Sequence, residues 1–191
     1  MNRSEPAPAS SNASDAPVLP APAVFERLFY ALAFRAETDA RARAVLIGLV
    51  KVFFRAVVAE KRRGGSRLLR AARIGAVRFG RWRAPILRDK LGLDVNDVAD
   101  LGRLQDWEDR VFGVTGEWTE RTRSRATKCE TACPFAEIAS GAPELCSDVI
   151  HAMETATFAE LNPRYRLVPL DRLLSKGHAR CEFRHELKTD D

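Results

Sequence analysis

Apolar side chains recur every three or four residues in the first part of the chain, which is the period of an amphipathic helix. The spacing predicts a helix over 23–38, with an apolar face formed by Phe25, Leu28, Phe29, Leu32 and Ala33. Asp39 is a candidate N-cap for a second helix that continues to about Arg62. Gly64-Gly65 ends that helix, and Ser66 is placed to cap the next one.

The same period returns after Gly92, a predicted helix end. We expect Asp94 or Asn96 to cap a helix whose apolar stripe is Val98, Leu101, Leu104, Trp107 and Val111. A further helix is predicted from Glu144 to Leu161, because Pro143 is well tolerated in a first helical turn and Asn162-Pro163 stops the helix.

Strand patterns lie between and after these later helices. Residues 115–130 are rich in Thr, Trp and Arg and predict one or two strands that join near Arg123-Ser124. Residues 166–174 and 178–188 predict a hairpin around Ser175-Lys176-Gly177. Alternation in the last strand places Cys181 and His185 on its inward face. The predicted fold is therefore α+β: N-terminal helices, then a helix-flanked antiparallel sheet that ends in a C-terminal hairpin.

Composition divides the chain into three parts. Residues 1–22 are rich in Ala, Pro and Ser and predict a disordered tail, residues 23–62 form N-terminal helices, and residues 63–191 form an α+β domain. The tail has no apolar core region, so we expect no secretory signal and a cytoplasmic protein with reduced thiols. The apolar run 44–59 is broken by Lys51 and Arg55, and we interpret it as a buried or interface helix rather than a membrane span.

Positive charge is concentrated between Lys61 and Lys90, where 11 Lys and Arg residues stand beside one acid, Asp89. Such a stripe could follow a phosphate backbone. We interpret it instead as the solvated face of a helix, because Leu68, Leu69, Ala72, Ile74 and Ala76 supply an apolar side. Aromatic residues are few there, so a nucleic-acid partner is the least favoured of the functions considered.

The four cysteines are the chemically most distinctive residues. Three, 12 and 34 residues separate them, a spacing that matches neither zinc knuckles nor a ferredoxin motif. Cys133 and Cys146 lie at predicted helix starts, where free backbone N–H groups favour a thiolate. With the inward Cys181 they could form a three-thiolate metal site, most simply for zinc.

Two other interpretations of the cysteines stay open. All four could be ordinary buried thiols, since free cysteine packs like a small hydrophobe. One could be a nucleophile with His151, His178 or His185 as its base, although Cys181 and His185 are too far apart along their strand for easy direct pairing.

The C-terminal block resembles the L-2-amino-thiazoline-4-carboxylic acid hydrolase family. The likeness extends over about residues 60–188 and depends on Cys133-Pro134, Pro143-Glu144-Leu145-Cys146, Asn162-Pro163, Gly177 and Cys181-Glu182-Phe183. It implies a hydrolase that opens a small cyclic amidine or thioether ring by water attack. His178 stands where members of that family often carry Asp after the glycine.

The resemblance also implies roles for individual residues. Cys133, Cys146 and Cys181 would ligate zinc or another thiolate-bound metal, which would activate water. Glu182 would be the general base, provided that its strand turns it toward the pocket, and Arg180 or Arg125 would bind the substrate carboxylate. The alternative is a non-catalytic module of the same fold that binds a small molecule or a metal.

Overall fold

The computed structural model describes residues 24–188, and the predicted disordered tail lies outside this range. Six α-helices and four strands follow one another in the described chain. The helices are α1 Val24–Ala36, α2 Ala40–Arg62, α3 Arg67–Leu91, α4 Val98–Phe112, α5 Ala136–Ala139 and α6 His151–Leu161. The strands are β1 Thr115–Arg121, β2 Arg125–Ala132, β3 Tyr165–Pro169 and β4 Cys181–Leu187. The predicted α+β class is confirmed.

The predicted cap is confirmed at α2 and wrong at α4, whereas at α3 the N-cap residue is the predicted one but its side-chain hydrogen bond is absent. The Asp39 carboxylate accepts hydrogen bonds from the Arg41 and Ala42 amides and begins α2, as expected. Helix α4 is capped by Asp97 rather than by Asp94 or Asn96. Ser66 precedes α3 without capping it through its side chain, and the Glu60 carboxylate takes the Arg67 and Leu68 amides at 3.0 and 2.8 Å.

The sheet is antiparallel with strand order β1-β2-β4-β3. The predicted C-terminal hairpin is present as β3 paired with β4, although a short 3-10 turn at Leu174–Lys176 lengthens its connection. Cys181 and His185 are both buried, as the alternation predicted. Helix α4 crosses the sheet, and the buried Lys128 ammonium on β2 reaches Asp106 and Asp109 on α4, both at 2.8 Å.

The helix predicted from Glu144 begins differently from an α-helix. Residues Leu145–Ile150 form a π-helical turn, which continues directly into α6. Such turns are rare in proteins as a whole, but those that do occur are often found at functional sites. This one packs the partly buried side chains of Cys146 and Ile150 against the core.

Two clusters of buried side chains form the core. One surrounds Trp107 and Phe158, the other surrounds Phe54 and Phe135, and α2 contributes side chains to both. Among the described residues, no helix is both long enough and apolar enough to cross a membrane.

Candidate functional site

A cavity of about 190 Å³ lies where the two core clusters meet. Its walls come from all the long helices, from the π-helical turn, and from β2 and β4. Most of the lining is apolar and includes Phe29, Ala33, Val50, Phe54, Phe79, Phe112, Phe135, Ile150, Leu173 and Phe183. An apolar interior cavity with a few polar groups is the usual form of a small-molecule site.

Cys133, Cys146 and Cys181 all line this cavity, although they are far apart in sequence. Cys133 follows the end of β2, Cys146 lies in the π-helical turn, and Cys181 begins β4, where its sulfur accepts a hydrogen bond from the Leu174 amide at 3.3 Å. Cys129 is not among the lining residues, and its sulfur faces Thr119 and Glu182.

The three lining thiols are held in their neutral form. Burial raises the pKa of Cys133 to about 11 and that of Cys181 to about 12, and it raises the pKa of Cys146 as well. The prediction that helix starts favour thiolates was therefore wrong in its net effect. The Phe135 and Ala136 amides do lower the pKa of Cys133, but the loss of hydration is larger.

Within residues 24–188, no group of three or more His, Cys, Asp or Glu side chains is arranged to hold a metal ion. Zinc ligation by Cys133, Cys146 and Cys181 stays a prediction.

One end of the cavity is polar. The Arg83 guanidinium on α3 pairs with Glu108 on α4 through Nη1 and donates through Nε to Thr157 Oγ1 at 2.8 Å. Gln105 donates to the Glu130 carboxylate at 3.0 Å. Arg83, Gln105 and Glu108 are all buried, so this network lies in the interior of the protein.

Several atoms of this polar end are buried without a hydrogen-bond partner in the described chain. They include Tyr30 Oη, Arg83 Nη2, Gln105 Oε1 and Glu108 Oε2, and all four residues line the cavity. A buried polar atom without a partner costs about 1 to 3 kcal/mol, so such atoms call for an explanation.

Acidic side chains outnumber basic ones around the cavity. Burial raises the pKa of Glu130 to about 7 and that of Asp109 to about 6, and it raises that of Glu154 well above its ordinary value. Neighbouring carboxylates add to each shift, whereas Arg83 and Lys128 oppose the shifts at Glu154 and Glu130, respectively. Burial and mutual repulsion therefore favour the protonated, neutral form of these three carboxyl groups.

The residues predicted to act with the cysteines lie elsewhere. Glu182 does not line the cavity, because alternation along β4 turns it to the other face from Cys181. Its carboxylate pairs with Arg180 at 2.5 Å and with Arg172 at 3.4 Å. Arg125 is exposed at the start of β2. Neither Glu182 nor Arg180 therefore lines the cavity that the three thiols share.

The three histidines are also placed apart. His151 lines the cavity, and burial lowers its pKa. His185 is bonded to the Tyr165 hydroxyl in the core, and burial lowers its pKa to about 3. The exposed His178 accepts the Leu173 amide at 3.0 Å.

Part of the basic stripe borders a second, more open cleft of about 820 Å³ between α3 and α6. Arg73 and Arg81 line it, but so do Asp148 and Glu160. Because both signs of charge are present, this cleft is not a uniform anion-binding surface.

No protein-family model and no curated protein matches the sequence. A solved structure does match the fold: a trafficking protein particle complex subunit 3 from Naegleria fowleri, covalently bound to palmitic acid. The two chains are 13% identical and superpose with a TM-score of 0.56. The aligned region covers 76% of this chain and 97% of the other. Such a distant likeness shows the fold alone.

The fold comparison overturns the resemblance to L-2-amino-thiazoline-4-carboxylic acid hydrolases. The solved protein that shares this architecture is a subunit of a trafficking complex, not a hydrolase of that family. The expectation of ring-opening hydrolysis was therefore wrong. That resemblance depended on a few cysteine, proline and glycine positions. Prolines and glycines also occur at helix starts and turns in unrelated proteins, so they are weak evidence for a family.

Proposed function

We propose that the protein is a non-catalytic binding module that holds a small apolar molecule in its central cavity. The observation that carries this proposal is the cavity itself, which lies inside the core and is lined mainly by aromatic and aliphatic side chains. Burial of an apolar ligand there contributes about 25 cal/mol for each Å² removed from water.

The state of the thiols supports binding rather than nucleophilic chemistry. A thiolate is the reactive form of cysteine, and the raised pKa values of Cys133, Cys146 and Cys181 keep all three protonated near neutral pH. Neutral thiols instead act as a soft, weakly polar part of the cavity wall.

The solved structure with this fold gives independent support. The Naegleria protein is described as bound to palmitic acid, so one protein of this architecture carries a long aliphatic chain. A cavity of about 190 Å³ favours a shorter chain or a compact apolar body in the present protein.

Filling the cavity is expected to weaken binding strongly. A fluorescent neutral probe, N-phenyl-1-naphthylamine, is titrated into the protein and displaced with 1-octanol. Val50 lines the cavity from α2, and Val50→Phe is expected to weaken octanol binding at least about tenfold because the added ring occupies ligand volume.

The matched control is Val52→Phe on the same helix, since Val52 is 61% exposed and lies outside the cavity. This variant is expected to bind octanol as the unmodified protein does. Saturable binding that is equally strong in both variants would contradict the proposal, as would the lack of saturable binding to the unmodified protein.

A further inference from the structure

We infer that the ligand carries a protonated amine with a hydroxyl group beside it, and that the polar end of the cavity binds this amino-alcohol head. The inference rests on the proposed function, because it assigns the head of the molecule whose apolar body fills the cavity. Its support comes from which polar atoms lack partners and from the charge around them.

Two of the unpartnered atoms are acceptors. Glu108 Oε2 and Gln105 Oε1 are buried on the same helix, three residues apart, and both residues line the cavity. The other oxygen of Glu108 is engaged by Arg83, and the amide nitrogen of Gln105 is engaged by Glu130. The free oxygens therefore require N–H or O–H donors from the ligand, and an ammonium group supplies three.

Among these four atoms, Arg83 Nη2 can only donate. Arg83 Nη2 has no acceptor in the described chain, although Nη1 and Nε of the same guanidinium are used. Its partner would be an oxygen on the ligand. The Tyr30 hydroxyl, which also lacks a partner, can either donate or accept. A hydroxyl next to the amine satisfies both requirements within one small head group.

Charge excludes the most obvious alternative head, a carboxylate. Four carboxyl groups line the cavity, those of Glu108, Asp109, Glu130 and Glu154, against the single guanidinium of Arg83. Lys128 is directed at Asp106 and Asp109 from the sheet and is already paired with them. An added carboxylate would lie among carboxyl groups whose ionisation is already opposed, whereas a cation would stabilise their ionised form.

The test compares three eight-carbon probes on the complete protein: 2-amino-1-octanol, 1-octanol and octanoate. Their dissociation constants are measured by isothermal titration calorimetry at pH 7.5 with constant salt. The amino alcohol is expected to bind at least about tenfold more tightly than octanol, since hydrogen bonds between charged partners are the stronger ones. Octanoate is expected to bind most weakly.

The outcomes separate this inference from the function it rests on. If octanoate or octanol binds as tightly as the amino alcohol, the assignment of the head is overturned while the cavity remains a binding site. If none of the three probes binds, the proposed function itself fails.

Glu154→Gln provides a second, isosteric test. Glu154 lines the cavity, and its carboxyl group can ionise when a cation enters. Glu154→Gln is therefore expected to lower the ratio of amino-alcohol affinity to octanol affinity about tenfold. Retained octanol binding shows that the variant is folded. Glu160→Gln, an exposed position on the same helix, is the control and is expected to change neither affinity. Equal loss for both probes in Glu154→Gln would contradict the inference.

Discussion

Replacing Arg83 with methionine is expected to lower the free energy of unfolding by about 3 to 5 kcal/mol. The guanidinium is 2% exposed and is the ion-pair partner of Glu108, which is also buried. Its removal leaves a carboxylate in the interior without a counter-charge. Thr157 keeps a partner, because its hydroxyl donates to the Met153 carbonyl at 2.8 Å. Urea denaturation followed by circular dichroism measures the change.

Two further variants make the Arg83 prediction specific. Arg81→Met, at an exposed position of the same helix, is expected to change stability by no more than about 0.5 kcal/mol. The double variant Arg83→Met with Glu108→Met is expected to recover most of the loss, because it removes both buried charges together. A single variant as mild as Arg81→Met, or a double variant no better than the single one, would show that this ion pair does not lie in the core.

Gly80→Ala is expected to destabilise the protein by about 2 to 3 kcal/mol, despite alanine's higher helix propensity. At Gly80, α3 lies close against α6, and a β-carbon there would stand 2.3 Å from the backbone oxygen of Met153. A backbone atom in a packed helix cannot move aside cheaply, so the two helices must separate. Thermal and urea unfolding both report the loss.

The control for Gly80 lies five residues earlier in the same helix. A β-carbon added at Gly75 meets nothing within 4 Å, so Gly75→Ala is expected to stabilise the protein by up to about 1 kcal/mol. If the two alanine variants were equally stable, the close approach of α3 and α6 would be refuted.

Local rules explain what the sequence predicted well. The helix after Asp39, the strands around Arg123-Ser124 and the alternation of β4 all depend on residues that are near one another in the chain. The cap that Glu60 supplies to α3 was missed because the Glu60 carboxylate reaches forward across the Gly64-Gly65 turn to the next helix. Such a contact follows from the path of the chain, not from a short motif.

The polar end of the cavity had a signal in the sequence that was not used. Arg83 stands four residues after Phe79 and four before Leu87, and Glu108 stands four after Leu104 and three before Val111. Each charge thus occupies an apolar stripe position of its helix, and two such interruptions of opposite sign suggest a buried pair. Their actual pairing, across 25 residues, depended on the tertiary packing of α3 against α4.

The cysteines show what sequence patterns cannot predict, namely the depth at which a side chain is buried. The sequence indicated helix-start positions for two of them, but it did not show how deeply they would be buried. Burial decides their protonation, because desolvation outweighs the amide hydrogen bonds at Cys133. The chemistry expected of a thiolate therefore does not follow from its position in the chain.

Nuclear magnetic resonance of methyl-labelled protein tests most directly whether the interior cavity receives a ligand. With 1-octanol at saturation, nuclear Overhauser effects from the octyl chain are expected at the methyl groups of Val50, Ile150 and Leu173, which line the cavity. The exposed methyl groups of Val45 and Ile74 are expected to show none. Contacts at Val45 and Ile74, with none at the three cavity residues, would mean that apolar molecules bind the outer surface and that the cavity is not the binding site.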